Sequence, residues 1–449
     1  MLLEKKMRKI LRSIVLLAGA LASCSSPSSV SVDRMTKDSI DVADSVTVPD
    51  QRPDPVLKVD SVREVDSIRP ISKRPPVKVG ALLVPDFKVR GIYVTGPTAG
   101  TKRMQSMIEL VTSTRSLPNG LNAMVLDVKN DGGNITYSIA DSMAQKMGAC
   151  IRYVRDMPAL IHRLHENGIY VIGRIVCFKD PYLAKYRRDL ALLKADSTAV
   201  TDGKGLPWVN PYKKDVWDYL CRLAEQASKD GFDEIQFDYV RFPIVDGKKN
   251  APQYGVCLDT FSREQCLSEF FGYVQKRLHA KNIIFGADLF GTVIGSPTDR
   301  DLTGQNYTQL GIMADNVCPM IYPSHYNKNT FGIPVPDAKP YQTIFKALEL
   351  SKEQLTRPDS MPTCAVRPWL QCFTASWVPG HISYGSKQLR EQIQAVYDAG
   401  YDEWILWNAA NHYDYVKAAL LPEVVKKTAG TSVESVAKDT LTGDSVKVK

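Results

Sequence analysis

Apolar residues in the middle of the chain fall into two spacings that take turns. Short runs rich in Val, Ile and aromatic residues read as strands, and the longer stretches between them repeat apolar positions at helical spacing. The strand-like runs are Gly91 to Thr95, Ala123 to Val128, Tyr170 to Val176, Glu234 to Asp238, Ile283 to Asp288, Val317 to Tyr322, Thr363 to Val366 and Glu403 to Trp407. Helical spacing covers Met157 to Asn167, Lys213 to Lys229 and Lys387 to Ala399, with Gly168, Gly231 and Gly400 just beyond their ends, where glycine ends helices. Strands alternating with helices predict a parallel sheet. Eight such units are the number of a (β/α)8 TIM barrel, so the expected class is α/β in one domain.

The ends of the chain break this pattern. Lys5, Lys6, Arg8, Lys9 and Arg12 precede the apolar run Ile14 to Leu21, which is too short to span a bilayer and reads as a secretory signal. Leu21-Ala22-Ser23-Cys24 resembles the bacterial lipobox, which implies removal of residues 1–23 and lipidation of Cys24. Residues 24–85 are dominated by Ser, Val, Asp and Pro, with Asp-Ser repeated at Asp38, Asp44, Asp60 and Asp66, a composition that buries no core and predicts a disordered tether. The same composition returns in residues 427–449. The predicted barrel therefore occupies residues 86–426, roughly 340 residues, ample for a TIM barrel with insertions.

Charge narrows the partners. The formal net charge is +8, and the signal segment carries five basic residues against Glu4, so half of that excess leaves with it. The remaining Lys and Arg are scattered, without the basic stripe of a nucleic-acid binder. Of nine cysteines, most lie inside apolar runs, as Cys177 and Cys318 do, and read as buried thiols. Cys257 and Cys266 flank a loop, and pairing between them stays open in an oxidising compartment. The six histidines include His325 alone near a strand end, and no pair of CxxC motifs is present, so no metal site or cofactor is expected.

Chemistry is concentrated in GFDEIQFDYVRFP, residues 231–243. In this strand Ile235 and Phe237 face one way while Gln236 and Asp238 face the other, into the barrel if the outer side packs on helices. A carboxylate at the end of a parallel strand stands where barrels carry out chemistry. The inward residues near the other strand ends are Tyr93, Asp127, Lys129, Arg174, Asp288, Tyr322 and Trp407, joined by Arg241 and His325 in the following loops. Carboxylates, cations and aromatic rings around one cavity suit a sugar. Trp369 reads equally well as packing or as a platform. Asp127 leads into Asn130, Asp131, Gly132 and Gly133, which also makes it a turn-former.

These residues carry a resemblance. VRGIYVTG at 89–96, LDVKNDGG at 126–133, GFDEIQFDYVRFP at 231–243, GADLFG at 286–291 and CPMIYPSHY at 318–326 are similar to the bacterial "putative glycosyl hydrolase domain" family. The likeness runs over roughly residues 88 to 415 and implies a TIM barrel of hydrolase kinship. The fourth strand also resembles, more distantly, the DGxDxDxE strand of family 18 chitinases. Val240 stands where that motif has its acidic glutamate and Gln236 where it has an inner aspartate, so that mechanism does not carry over.

The expected activity is hydrolysis of a polysaccharide or cell-envelope glycan, with Asp238 as nucleophile and Asp288 as general acid/base. Tyr93, Asp127, Lys129, Arg174, Arg241, Tyr322, His325 and Trp407 are the expected substrate ligands. The alternative is a noncatalytic envelope lipoprotein whose degenerate barrel binds glycan. Ser25 after Cys24 points, by analogy with lipoprotein sorting, to a lipid anchor in the outer membrane. The expected partners are then a glycan and the membrane.

Overall fold

A computed structural model describes residues 76–245, 251–356 and 363–421. Its centre is a closed barrel of parallel strands: β1 (Arg90–Val94), β2 (Ala123–Lys129), β3 (Tyr170–Val176), β4 (Glu234–Asp238), β5 (Ile284–Phe290), β6 (Asn316–Met320), β7 (Trp369–Gln371) and β8 (Trp404–Trp407). Each strand pairs with the next, and β8 pairs with β1 to close the ring. Helices α1 (Arg103–Thr114), α2 (Met157–Glu166), α3 (Lys214–Lys229), α4 (Arg263–His279), α5 (Tyr307–Met313), α6 (Pro340–Leu355) and α7 (Ser386–Asp398) follow the first seven strands in turn, and the short α8 (Val416–Ala419) follows β8. This is a (β/α)8 TIM barrel.

Local chemistry sets where the helices begin. The Asp156 carboxylate accepts the Ala159 N–H at the start of α2, and Pro158 in the first turn has no N–H to leave unpaired. Ser262 and Gln265 form a reciprocal capping box on α4.

Strand alternation divides the core in two. Outward residues such as Ile92, Val94, Leu126, Ile235 and Phe237 join the large apolar layer under the helices. Inward residues, among them Tyr93, Val125, Ile172, Tyr322, Trp369 and Trp407, fill the barrel. Gly286 of β5 also faces the interior and must stay small, because a Cβ there would lie 2.5 Å from Asn316 Oδ1. The amino-terminal end of the barrel is plugged by charge: the buried Arg367 donates to Glu234 at 2.7 Å and to Glu403 at 2.9 Å, and Asn316 donates to Glu234 at 3.1 Å. Buried charges persist where they are paired and hydrogen-bonded like this.

Two segments depart from the sequence reading, and the one pairing it left open is decided. The predicted seventh strand, Thr363 to Val366, contributes only Ala365–Val366 on β6, and after Arg367 and Pro368 the link to β8 is made by Trp369–Gln371. Pro368 has no N–H to donate, which removes one ladder hydrogen bond between the two pieces. Residues 77–84, assigned to the tether, form an antiparallel hairpin turned at Gly80, with φ +61°. That hairpin is tied to the barrel where Leu83 N–H donates to Asp315 at 2.7 Å. Cys257 and Cys266 are both free thiols, the first exposed and the second buried with its Sγ 3.5 Å from Pro211 O, so the bridge left open is not formed. Cys24, the signal segment and residues 427–449 lie outside the described residues. Among the described residues no helix is long and apolar enough to cross a membrane.

Candidate active site

The carboxyl ends of the strands surround a narrow cleft. Its wall takes Asp131 from the loop after β2, Arg174 from β3, and Asp238, Tyr239 and Arg241 from the end of β4. Phe290 comes from the end of β5, Gly291 and Thr292 from the turn after it, Met320, Tyr322 and His325 from β6 and its loop, Trp369 from β7 and Trp407 from β8. Loops after parallel strands converge at this end, which is why residues far apart in the chain meet here.

Arg174 organises the floor. Its guanidinium donates from Nη1 to Asp127 at 2.7 Å, from Nη2 to Asp131 at 2.9 Å, and from Nε and Nη2 to the same Asp238 oxygen at 2.9 and 2.6 Å. Tyr93 donates its hydroxyl to the other oxygen of Asp127 at 2.7 Å. Burial alone would raise both Asp127 and Asp131. Arg174 only partly offsets burial at Asp127, whose pKa stays raised, whereas Arg174 and Lys179 together bring Asp131 below the ordinary carboxylate range. One planar fork shared among three carboxylates fixes their orientations as a group.

Asp238 lines the cleft with both oxygens engaged, Oδ2 by Arg174 and Oδ1 by the Tyr239 N–H at 2.6 Å. Tyr239 itself has φ +51°, a left-handed conformation that a bulky residue adopts only when its surroundings hold it there. After that turn the Tyr239 ring covers both Lys179 and Arg241.

Asp288 sits differently. It is 1 % exposed and does not form part of the cleft wall, although Trp369, which does, donates its indole N–H to Asp288 Oδ1 at 2.6 Å. Gln236 donates to the same oxygen, and Oδ2 has no partner. Burial, reinforced by the negative charge of Asp238, pushes the Asp288 carboxyl well above its usual range. A carboxyl with a raised pKa beside an ion-paired carboxylate is the arrangement by which two like groups take opposite acid–base roles.

The remaining sequence candidates divide. Tyr93 stacks on Trp407 with ring centres 4.2 Å apart, and Tyr322 and His325 meet edge to face at 5.0 Å on the cleft wall. His325 Nε2 is enclosed without a partner, and burial lowers its pKa from 6.5 to about 4. Lys129 is placed away from the cleft, fully buried with its amine 3.0 Å from Asp180 and 2.5 Å from Val176 O. The register of β2 against β3 shifts between Asp127 and Lys129, and such a bulge turns Lys129 out of the inward row that alternation assigned it. Asp238 pairs with Arg174 and not with Arg241.

Sequence reasoning missed Asp131 and Tyr239 as wall residues and left Trp369 undecided. Asp131 has the turn context NDGG, which conceals a second job on Arg174, and nothing in the sequence announces a left-handed tyrosine. Among the described residues no group of three or more His, Cys, Asp or Glu side chains is disposed to hold a metal ion.

Residues 91–413 match the family described as "Putative glycosyl hydrolase domain", which is more than half of the chain. The chain belongs to this family. The glycosyl hydrolase-like domain is also similar in fold to the glycoside hydrolase domain of PgaB (BpsB) from Bordetella bronchiseptica, with TM-score 0.53 and 13 % identity over 75 % of this chain and 99 % of that one. A hypothetical protein from Ruminiclostridium thermocellum is 34 % identical over 44 % of this chain and 96 % of its own, with TM-score 0.39. Alpha-L-fucosidase isoenzyme 2 from Paenibacillus thiaminolyticus matches at 12 % identity over 76 % of this chain and 49 % of its own, with TM-score 0.48. No curated protein matches the sequence.

Proposed function

We propose that this domain hydrolyses the glycosidic bonds of a polysaccharide or cell-envelope glycan with Asp238 and Asp288 as its two working carboxyl groups. The observation that carries the reading is their contrast on adjacent strands: Asp238, the last residue of β4, faces the cleft paired with Arg174, while Asp288, two residues before the end of β5, is enclosed with its carboxyl pKa raised by burial. In this scheme Asp238 bonds to the anomeric carbon as the glycosidic bond breaks, and Asp288 gives its proton to the departing oxygen. The deprotonated Asp288 then takes a proton from the water that displaces Asp238. Trp407, backed by the buried Tyr93, and Tyr322 supply aromatic surface for a sugar ring, and Arg174 holds Asp238 in line.

The test is release of reducing ends from a panel of polysaccharides, including peptidoglycan, α-glucans and galactosaminoglycans. Asp238→Asn is expected to lower turnover by about a thousandfold or more while still binding the glycan. Turnover that survives this substitution would end the assignment.

One feature favours the noncatalytic alternative. Both Asp238 oxygens are already hydrogen-bonded and Asp288 lies outside the cleft wall, as suits a site that holds glycan without cleaving it. The panel separates the two, because a binder retains a glycan equally in wild type and Asp238→Asn and releases nothing from either. The lipobox-like Cys24 supports placing the domain at the cell envelope, anchored by lipid in the outer membrane.

A further inference from the structure

Arg241 occupies the cleft wall under conditions unlike those of Arg174. It is 4 % exposed and enclosed by three rings, with its guanidinium carbon 4.7 Å from the centre of Phe290, 4.9 Å from Trp208 and 5.0 Å from Tyr239. Its one protein acceptor among the described residues is the carbonyl of Phe242, at 3.1 Å from Nη1, and Nε has none. No carboxylate among the described residues comes within ion-pair distance of it, whereas Arg174 a strand away is shared by three. Asp238 and Asp202 act on Arg241 only across space.

An unpaired guanidinium out of water is costly, and aromatic faces repay only part of its lost hydration. Arginine presents a planar fork suited to a carboxylate, and a carboxylate arriving through the cleft would supply the missing acceptors and charge together. The aromatic enclosure would also strengthen that contact by excluding water. A neutral hydroxyl would fill one hydrogen bond and leave the charge uncompensated.

We infer that Arg241 is a specificity-determining residue which receives the carboxylate of an acidic sugar, so that the glycan taken by this cleft carries uronic acid or an ether-linked carboxylic acid. The inference rests on the reading of the cleft as a glycan site.

The test uses the full chain as wild type, Arg241→Gln, Arg241→Lys and Asp238→Asn. The probes are hyaluronan oligosaccharides, oligogalacturonate and peptidoglycan glycan fragments, each beside its counterpart with carboxyls reduced to alcohols. Dissociation constants are measured calorimetrically, together with KM and kcat for any probe that is cleaved. At least one acidic probe is expected to bind wild type about ten- to a hundredfold tighter than its reduced counterpart. Arg241→Gln should abolish that preference through KM, so that the acidic probe binds no tighter than its reduced counterpart. Should Arg241→Gln fail to fold by circular dichroism, Arg241→Lys decides, because it keeps the charge and loses the fork; the preference should then shrink.

The inference is overturned by equal affinity for acidic and reduced forms across the panel, or by a preference that is undiminished on substitution of Arg241. Acid-selective binding without turnover of any glycan would retain Arg241 in its role and remove the hydrolase reading. Turnover of neutral glycans without acid selectivity would do the reverse.

Discussion

At the scale of single residues the site is governed by how each carboxyl is compensated. Asp288 carries a raised pKa from burial and from Asp238, so as a general acid it must be protonated, and activity is expected to decline on the alkaline side as pH passes its folded value. The same shift bears on stability. A carboxyl whose folded pKa is raised contributes most below its unfolded value, near 3.8, and its contribution is lost as pH rises through the folded value. Asp288→Asn keeps an oxygen acceptor for Trp369 and Gln236 but cannot ionise. Its urea midpoint relative to wild type should therefore rise as pH goes up from 4 and level off above the folded value, and a constant offset would contradict the raised pKa. His325 has the opposite sense. Its pKa is lowered from 6.5 to about 4, so its stabilising contribution is present above pH 6.5 and lost as pH falls through 4. His325→Gln should flatten the loss of stability across that window, as measured by denaturation at pH 7, 5 and 4.

At the scale of elements, a bulge decides what β2 does. Strict alternation would aim both Asp127 and Lys129 at the cleft, but the register shift between them sends Lys129 to Asp180. Asp180 also caps the next helical turn, accepting the Leu183 N–H at 2.9 Å, so the pair fastens the end of β2 to the segment after β3. Lys129→Met leaves the Asp180 carboxylate buried without its cation and is expected to cost about 3–5 kcal/mol of stability. Affinity of the folded fraction for glycan should not change, which ligand titration on the folded variant would check. A weakened affinity with unchanged stability would return Lys129 to the substrate. The short β7 shows the same kind of control, since Pro368 interrupts the ladder and lets Trp369 begin a new pairing with its indole on Asp288.

At the scale of the whole molecule, the reading of a lipid-anchored barrel on a tether makes a separable prediction. Cys24→Ser should move the protein from the membrane fraction to the soluble fraction, while glycan turnover per molecule stays as in wild type; membrane retention without Cys24 would exclude the anchor. The barrel class was legible in the sequence because strand period and helical period alternate along the chain, and burial forces each apolar face toward a partner layer. Asp238 was legible for the same reason: Ile235 and Phe237 must face the helices, so Asp238 faces inward. Folding alone decided which charges meet. Arg174, Asp127, Asp131 and Asp238 converge from three strands and a loop, and no local pattern records that one guanidinium will serve all three acids. The left turn at Tyr239, the bulge before Lys129 and the lack of a carboxylate partner for Arg241 among the described residues likewise depend on backbone geometry and on neighbours distant in the chain. Periodicity reports which side of an element is buried, whereas pairing and proton affinity are set by what lies across the barrel.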